Sequence, residues 1–288
     1  MRRNSILLAG LVSLATTVGA NAEYTDGIIK IGVLNDQSGT YSDLSGQGSV
    51  WAARKAVEDF CKANKCHDKI EIVFADHQNK ADIGAGVARK WYDVEQVDMI
   101  VDVPTTSVAK AVSQLTKEKN KVFLNSGAAA SELTGAECTP NLIHWTYDTW
   151  ALANGTGSTL VKQGGKNWFF LTADYAFGHA LERDTAAVVE KLGGKVLGKV
   201  RHPFPAQDFS SFLLQAQGSK ADDIGLANAG ADTINSIKQA SEFGIVAGRA
   251  EPRRTARLHH RRALARTADR PGPDLHGSLV LGHERRQP

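Results

Sequence analysis

Residues 144–178, from His144 to Gly178, read HWTYDTWALANGTGSTLVKQGGKNWFFLTADYAFG. This stretch closes one series of strand and helix patterns at the short apolar run LIHWT and opens another. The new series begins with a polar-capped helical pattern over Thr149 to Gln163, a turn at Gly164-Gly165 and an apolar run, Trp168 to Thr172, that reads as a buried strand. A chain that finishes one parallel-sheet unit, crosses over and starts a second builds two lobes. A ligand then belongs in the cleft between them, where strand C-termini and helix N-termini from both lobes converge.

Upstream of the crossing, the runs GIIKIGVL (Gly27 to Leu34), IEIVFA (Ile70 to Ala75), Met99 to Val103 and Val122 to Asn125 read as strands. Helical patterns separate them at Gly48 to Lys62, with Val50, Ala53, Val57 and Phe60 on one face, at Ala81 to Glu95 and at Val108 to Lys119. Downstream, helical patterns over Ala176 to Leu192, after Asp208 (DFSSFLLQAQG) and from Ala231 alternate with strands at Lys195 to Val200 and Asp223 to Ala227. Strands alternating with helices of this length specify right-handed βαβ units, so the class is α/β with two lobes of parallel sheet flanked by helices.

The two ends of the chain read differently from its middle. Residues 1–22 carry Arg2 and Arg3, an apolar core from Ile6 to Ala15 and the small-x-small site Ala20-Asn21-Ala22, the pattern of a cleaved export signal; the apolar run is shorter than a membrane helix needs. From Arg249 onward, ten of the chain's sixteen arginines appear, with no Lys, Asn, Ile, Phe, Tyr, Trp, Met or Cys. A basic arm for nucleic acid is one reading of such a run. An out-of-frame continuation of a GC-rich gene explains the missing residue types better, and no packed structure is expected of it. Without this tail the formal charge moves from +3 to −3, so the net charge gives no reason to expect a nucleic-acid partner. The expected division is a signal at 1–22, a first lobe at 23–148, an incomplete second lobe at 149–248 and the aberrant tail at 249–288.

Cys61 and Cys66 are spaced to close a small disulfide loop, CKANKC, with two free thiols as the other reading; Cys138 stands alone without metal-ligand partners. Candidate ligand contacts fall in loops that follow strands. Thr105, Thr106 and Ser107 offer hydroxyls and helix-N-terminal amides suited to a carboxylate, or else only a helix cap. Asn125, Ser126, Gly127 and Ala129 let backbone approach a ligand, or form a tight turn. Tyr175 and Phe177 sit at the matching place in the second lobe, the stretch Asn228, Ala229 and Gly230 follows the next strand, and Tyr41 in the first loop is placed to cover a side-chain pocket. Enzymatic signatures are missing: no G-x-S-x-G elbow, no G-x-x-x-x-G-K-[ST] loop, no G-x-G-x-x-G after a strand, and scattered histidines at 144, 179 and 202. Neither a cofactor nor a metal is indicated.

The segments IGVLNDQSGTYSDLSGQGS, LNSGAAASELTG, TADYAFGHALERD and DFSSFLLQAQ, in that order over about residues 27 to 248, resemble the leucine/isoleucine/valine-binding protein family. The resemblance implies a type I periplasmic binding protein fold and a periplasmic, non-enzymatic receptor that delivers a branched-chain or related amino acid to the permease subunits of an ABC importer. It implies carboxylate contacts at Thr105 with Thr106 or Ser107, and ammonium contacts at Gly127 and Ala129. The sequence departs from the family where Ala129 replaces an expected threonine, leaving Ser126 or Ser131 to substitute, where Phe177 replaces a tyrosine, and where Ala229 stands in place of another. These changes make the pocket less polar and extend the candidate ligands to amides and aromatic carboxylates. A sensor that reports to a receptor, and a truncated relic without function, are the competing readings.

Overall fold

The computed structural model describes residues 27–66, 69–245 and 280–282. The expected signal lies outside the described residues, as does the expected tail apart from residues 280–282.

Two sheets organise the chain. In the first lobe, β1 (Ile28–Asn35), β2 (Lys69–Asp76), β3 (Met99–Asp102), β4 (Val122–Asn125) and β5 (Leu142–His144) form a sheet in the order β2-β1-β3-β4-β5, parallel throughout. Helices α1 (Gly46–Asn64), α2 (Ala81–Asp93) and α3 (Thr106–Glu118) connect the first four strands. Trp91 and Tyr92 of α2 and Val108, Val112 and Leu115 of α3 pack on Leu34, Ile100 and Phe123 to make the core of this lobe. The packed face of α1 is shorter than its sequence pattern. Gly46 and Val50 are buried, whereas Phe60 is 57% exposed where the helix runs on to the turn closed by the Cys61–Cys66 disulfide. Cys138 is free and exposed.

The crossing helix is one continuous rod with an irregular middle. It runs from α4 (Thr149–Leu152) through a π-turn at Ala153–Gly157 into α5 (Ser158–Lys162). Asp148 caps it by accepting from the Ala151 amide at 2.7 Å.

In the second lobe, β6 (Asn167–Ala173), β7 (Lys195–His202) and β8 (Asp223–Ala227) pair in parallel in the order β7-β6-β8; β9 (Val280–Gly282) adds antiparallel to β8. Helices α6 (Ala176–Lys191), α7 (Ser210–Gly218) and α8 (Ala231–Glu242) flank this sheet. The run WFFLT shows why a strand buried on both faces reads as continuously apolar. Trp168 and Phe170 point to one face, against Val161 and Val189, while Phe169 and Leu171 point to the other, against Phe209, Leu213 and Ala240.

Both sheets change direction at their first strand. In one, β1 lies between β2 and β3; in the other, β6 lies between β7 and β8. Such reversal points open a crevice beyond the carboxyl ends of the strands. The two crevices face each other, and the contacts below come from the loops that border them.

Candidate functional site

The first-lobe wall is set by two short polar networks. Asp36, buried just after β1, accepts the amides of Gly39 at 2.8 Å and Tyr41 at 2.7 Å and the side-chain amide of Asn79. Those bonds fold the Asp36–Tyr41 loop back on itself and fix where Tyr41 stands. Asn79 in turn accepts the Thr105 hydroxyl, tying the loops after β2 and β3 together. At the end of β3, Asp102 and Val103 take φ of 77° and 57°. A β-branched residue in this left-handed region is strained, and it persists because its surroundings hold it. Asn35 donates to Asp102 at 2.9 Å, and the Ser49 and Ser126 hydroxyls also bond to it, against a burial that pushes its carboxyl above the usual range.

Immediately beyond this strained corner, α3 begins two residues earlier than its apolar periodicity predicts. Thr105 occupies the N-cap position but makes no side-chain cap bond, because its hydroxyl is engaged with Asn79. The first-turn amides of α3 therefore lack the acceptor that a capping side chain ordinarily supplies. Thr106 is fully buried, and its Oγ1 has no hydrogen-bond partner. A buried hydroxyl left unpaired costs on the order of 1–3 kcal/mol, and this one stands at a helix N-terminus that borders the first-lobe crevice. Ser107 follows it, half-buried, in the same first turn.

The loop after β4 is closed by Asn125. Its Oδ1 accepts from Ala128 at 2.9 Å and Gly127 at 3.2 Å, and its Nδ2 donates to the Ala128 carbonyl at 2.8 Å. Gly127 lies so close to Pro104 that an added Cβ would come within 2.6 Å of the Pro104 backbone. Ser126 is exposed and turned toward Asp102. Ala129 is buried in a small apolar cluster with Phe177, Leu181 and Ala227, beside Tyr147, Tyr175 and Ala229; it therefore touches the second lobe.

The second-lobe wall is aromatic. Tyr175 stacks on Phe204 with ring centroids 4.1 Å apart and planes 15° apart, and its hydroxyl bonds to that of Tyr41 across the cleft. Tyr41 also lies against Phe204, at 5.4 Å. Burial pushes the phenols of Tyr41, Tyr147 and Tyr175 up, so all three remain protonated at physiological pH. Asn228 is buried and turned inward: it contacts His202 Nε2 at 3.3 Å and accepts the Thr233 hydroxyl at 2.7 Å. Gly230, at φ 61°, brings α8 against the first lobe. The Ala231 amide donates to the Thr40 carbonyl at 3.1 Å, and a Cβ at Gly230 would sit 2.4 Å from that same oxygen.

A second seam joins the lobes on polar terms. Asp184 Oδ2 accepts the hydroxyls of Ser131 at 2.7 Å and Thr149 at 2.6 Å, while Arg183 pairs with Glu132 at 2.5 Å and donates to Ser131 Oγ at 3.0 Å. The structure thus brings Tyr41, Ala129, Tyr175, Phe177 and Ala229 to one boundary between lobes. Thr105, Thr106 and Ser107 stand on the first lobe's reversal point, and Ser126, Gly127 and Asn228 are held largely by their own neighbourhoods. The sequence gives no local sign of Thr40, Phe204 or Asp232 at this boundary, whereas Gly230 belongs to the stretch Asn228 to Gly230 that follows a buried strand.

The chain matches the family model described as "Periplasmic binding protein" over residues 28–253. It is 26% identical over 255 residues to the Leu/Ile/Val-binding protein homolog 4 of Brucella abortus, an alignment covering 82% of this chain and 58% of that protein. The crystal structure of a periplasmic binding protein from Burkholderia mallei is 56% identical with a TM-score of 0.73, covering 76% of this chain and 58% of that one. A branched-chain amino acid ABC transporter periplasmic ligand-binding protein from Burkholderia xenovorans is 37% identical with a TM-score of 0.62, covering 75% and 58%. The chain therefore spans somewhat over half the length of these relatives, which are binding proteins and not enzymes. A parallel-sheet lobe on each side of a crevice, and a family match that runs through both, lead to one assignment: the chain belongs to the periplasmic binding protein family.

Proposed function

We propose that this chain contributes the ligand-gripping loops of an extracytoplasmic solute receptor, which closes its lobes over a small carboxylate of branched-chain amino-acid size and presents it to the permease subunits of an ABC importer. The observation that carries this reading is the unpaired, fully buried Thr106 Oγ1 at the uncapped start of α3. Together with the first-turn amides, it forms a nest of donors and partial positive charge that suits a carboxylate. The lobe-to-lobe contacts of Tyr41 with Tyr175 and of Thr40 with Ala231 exist only when the lobes are together, so a ligand that favours closure shifts an open/closed equilibrium. The name of the Burkholderia xenovorans relative supports the branched-chain class.

A second reading, an aromatic carboxylate, has its own observation. Tyr175, Phe204 and Phe177 supply ring faces from the second lobe and Tyr41 one from the first, and Ala129 offers no hydroxyl. Tryptophan fluorescence and thermal melting of the 288-residue chain against branched-chain amino acids, amides and aromatic acids test both readings. A melting temperature raised by one class names the ligand. A melt unmoved by every small carboxylate would overturn the receptor reading.

A further inference from the structure

Asn79 joins the loops of three neighbouring strands at the first lobe's reversal point: it follows β2 and reaches Asp36 after β1 on one side and Thr105 after β3 on the other. Its backbone is held at φ 57°, a left-handed conformation that asparagine adopts more readily than most residues, and its amide donates to His77 Nδ1 at 3.0 Å. His77 is fully buried, and burial pushes its pKa down to about 4, so the ring stays neutral with Nδ1 as the acceptor. Asp36 sets the orientation of the Asn79 side chain. Asp36 Oδ2 already accepts the Tyr41 amide at 2.7 Å, so it meets Asn79 as an acceptor and takes its Nδ2–H. Oδ1 of Asn79 is then the atom left facing Thr105; it can only accept, and the Thr105 hydroxyl donates to it. Thr105 has the extended backbone of an N-cap residue, φ −93° and ψ 117°, yet its side chain makes no cap bond to α3. An N-cap oxygen ordinarily accepts the amide two or three residues on, here Ser107 or Val108. With Thr105 drawn to Asn79 that place stays open, beside the buried and unpaired hydroxyl of Thr106.

We propose that Asn79 is a positioning residue for carboxylate binding: by holding the Thr105 hydroxyl it keeps the helix's own cap out of the anion site, so that the first-turn amides of α3 stay free for the solute. The inference rests on the receptor reading above and deepens it by naming the side chain that keeps the site open. A solute carboxylate and an intramolecular cap compete for the same N–H groups. Releasing the cap therefore lowers affinity while every group that meets the solute is still in place. A cap of ordinary strength corresponds to a loss of about five- to tenfold.

The test uses the full chain with Asn79→Gly, in which glycine accepts the positive φ without strain, together with Thr105→Val and the double variant. Amide hydrogen exchange at Ser107 and Val108, followed by NMR without ligand, reports the cap. Calorimetric titration with L-leucine and with 3-phenylpropanoate reports carboxylate affinity. The expected result is that Asn79→Gly slows exchange at one of the two amides about five- to tenfold and weakens the acid that wild type binds by a similar factor, and that adding Thr105→Val to Asn79→Gly reverses both changes. A residue that merely braced the loops would behave differently, since its loss would speed exchange and Thr105→Val would add to the damage. Unchanged or faster exchange in Asn79→Gly, slower exchange with undiminished affinity, or a double variant that binds no better than Asn79→Gly would overturn the role of Asn79 and leave the carboxylate receptor standing. Failure of the wild type to bind either acid would overturn both.

Discussion

The two seams between the lobes use opposite chemistry. At the cleft mouth the contact is short-range and aromatic: Tyr41, Tyr175 and Phe204 stack and share a hydroxyl contact, and Gly230 lets α8 touch the Thr40 carbonyl. At the other seam the contact is ionic and half-solvated, with Arg183 51% exposed over Glu132 and Asp184 holding two hydroxyls. Aromatic stacking and backbone approach are sensitive to shape at the ångström scale, whereas an exposed ion pair tolerates displacement and is screened by salt. Under the proposed receptor function the two seams take different work: the aromatic seam reads what lies in the cleft, and the polar seam biases how often the lobes meet.

The strongest way to break the comparison is Gly230→Val. It places a branched side chain where even a Cβ would sit 2.4 Å from a backbone oxygen, at a φ of 61°. Strain there and the clash together should cost roughly 2–3 kcal/mol of closure, a loss of about a hundredfold in ligand affinity by calorimetry, with the lobes' own packing intact. Thr106→Val comes next and separates binding from stability. Removing an unpaired buried hydroxyl should leave the unliganded melting temperature unchanged or higher, while carboxylate affinity falls by about tenfold or more. Asp184→Ala strips the polar seam of the acceptor for Ser131 and Thr149 and should weaken every ligand alike by on the order of 1–2 kcal/mol, without changing which ligand is preferred. The smallest effect belongs to Arg183→Ala: with so exposed a pair, about 0.2–1 kcal/mol is expected, and titrations in high salt should no longer distinguish the variant from wild type.

Much of the fold can be read directly in the sequence, for physical reasons. Strands buried on both faces, such as WFFLT, are continuous apolar runs, and α2 and α3 show clear stripes because each lies on a sheet. The π-turn at Ala153–Gly157 leaves no such trace, since the helical pattern continues across it. The start of α3 lies two residues before the place its sequence pattern predicts, because three consecutive hydroxyl residues all resemble caps. Only the tertiary bond from Thr105 to Asn79 decides that none of them caps the helix. Tyr41, Tyr175, Phe177 and Ala129 are legible as loop residues that follow strands, and the structure brings them together at the lobe boundary. Nothing local in the sequence points to Phe204 or Asp232, because each is placed by a partner distant in sequence: Phe204 by its stack on Tyr175, Asp232 by the Ala206 amide. Nor does sequence reveal that Asn125 and Asn228 are spent on their own loops, a matter of side-chain direction. The strain at Asp102 and Val103 is equally invisible, because neither residue type favours a positive φ strongly enough to announce it.

The central claim is that Thr106 awaits a ligand carboxylate. The most direct measurement is the thermal melt of the 288-residue chain and of its Thr106→Val variant, each with and without the tightest-binding acid from the panel. The account predicts a cooperative wild-type transition that the acid raises, and a variant whose unliganded transition is as high or higher but is barely moved by the same concentration. Equal ligand-induced shifts in the two proteins would contradict it, and would place the carboxylate elsewhere in the cleft.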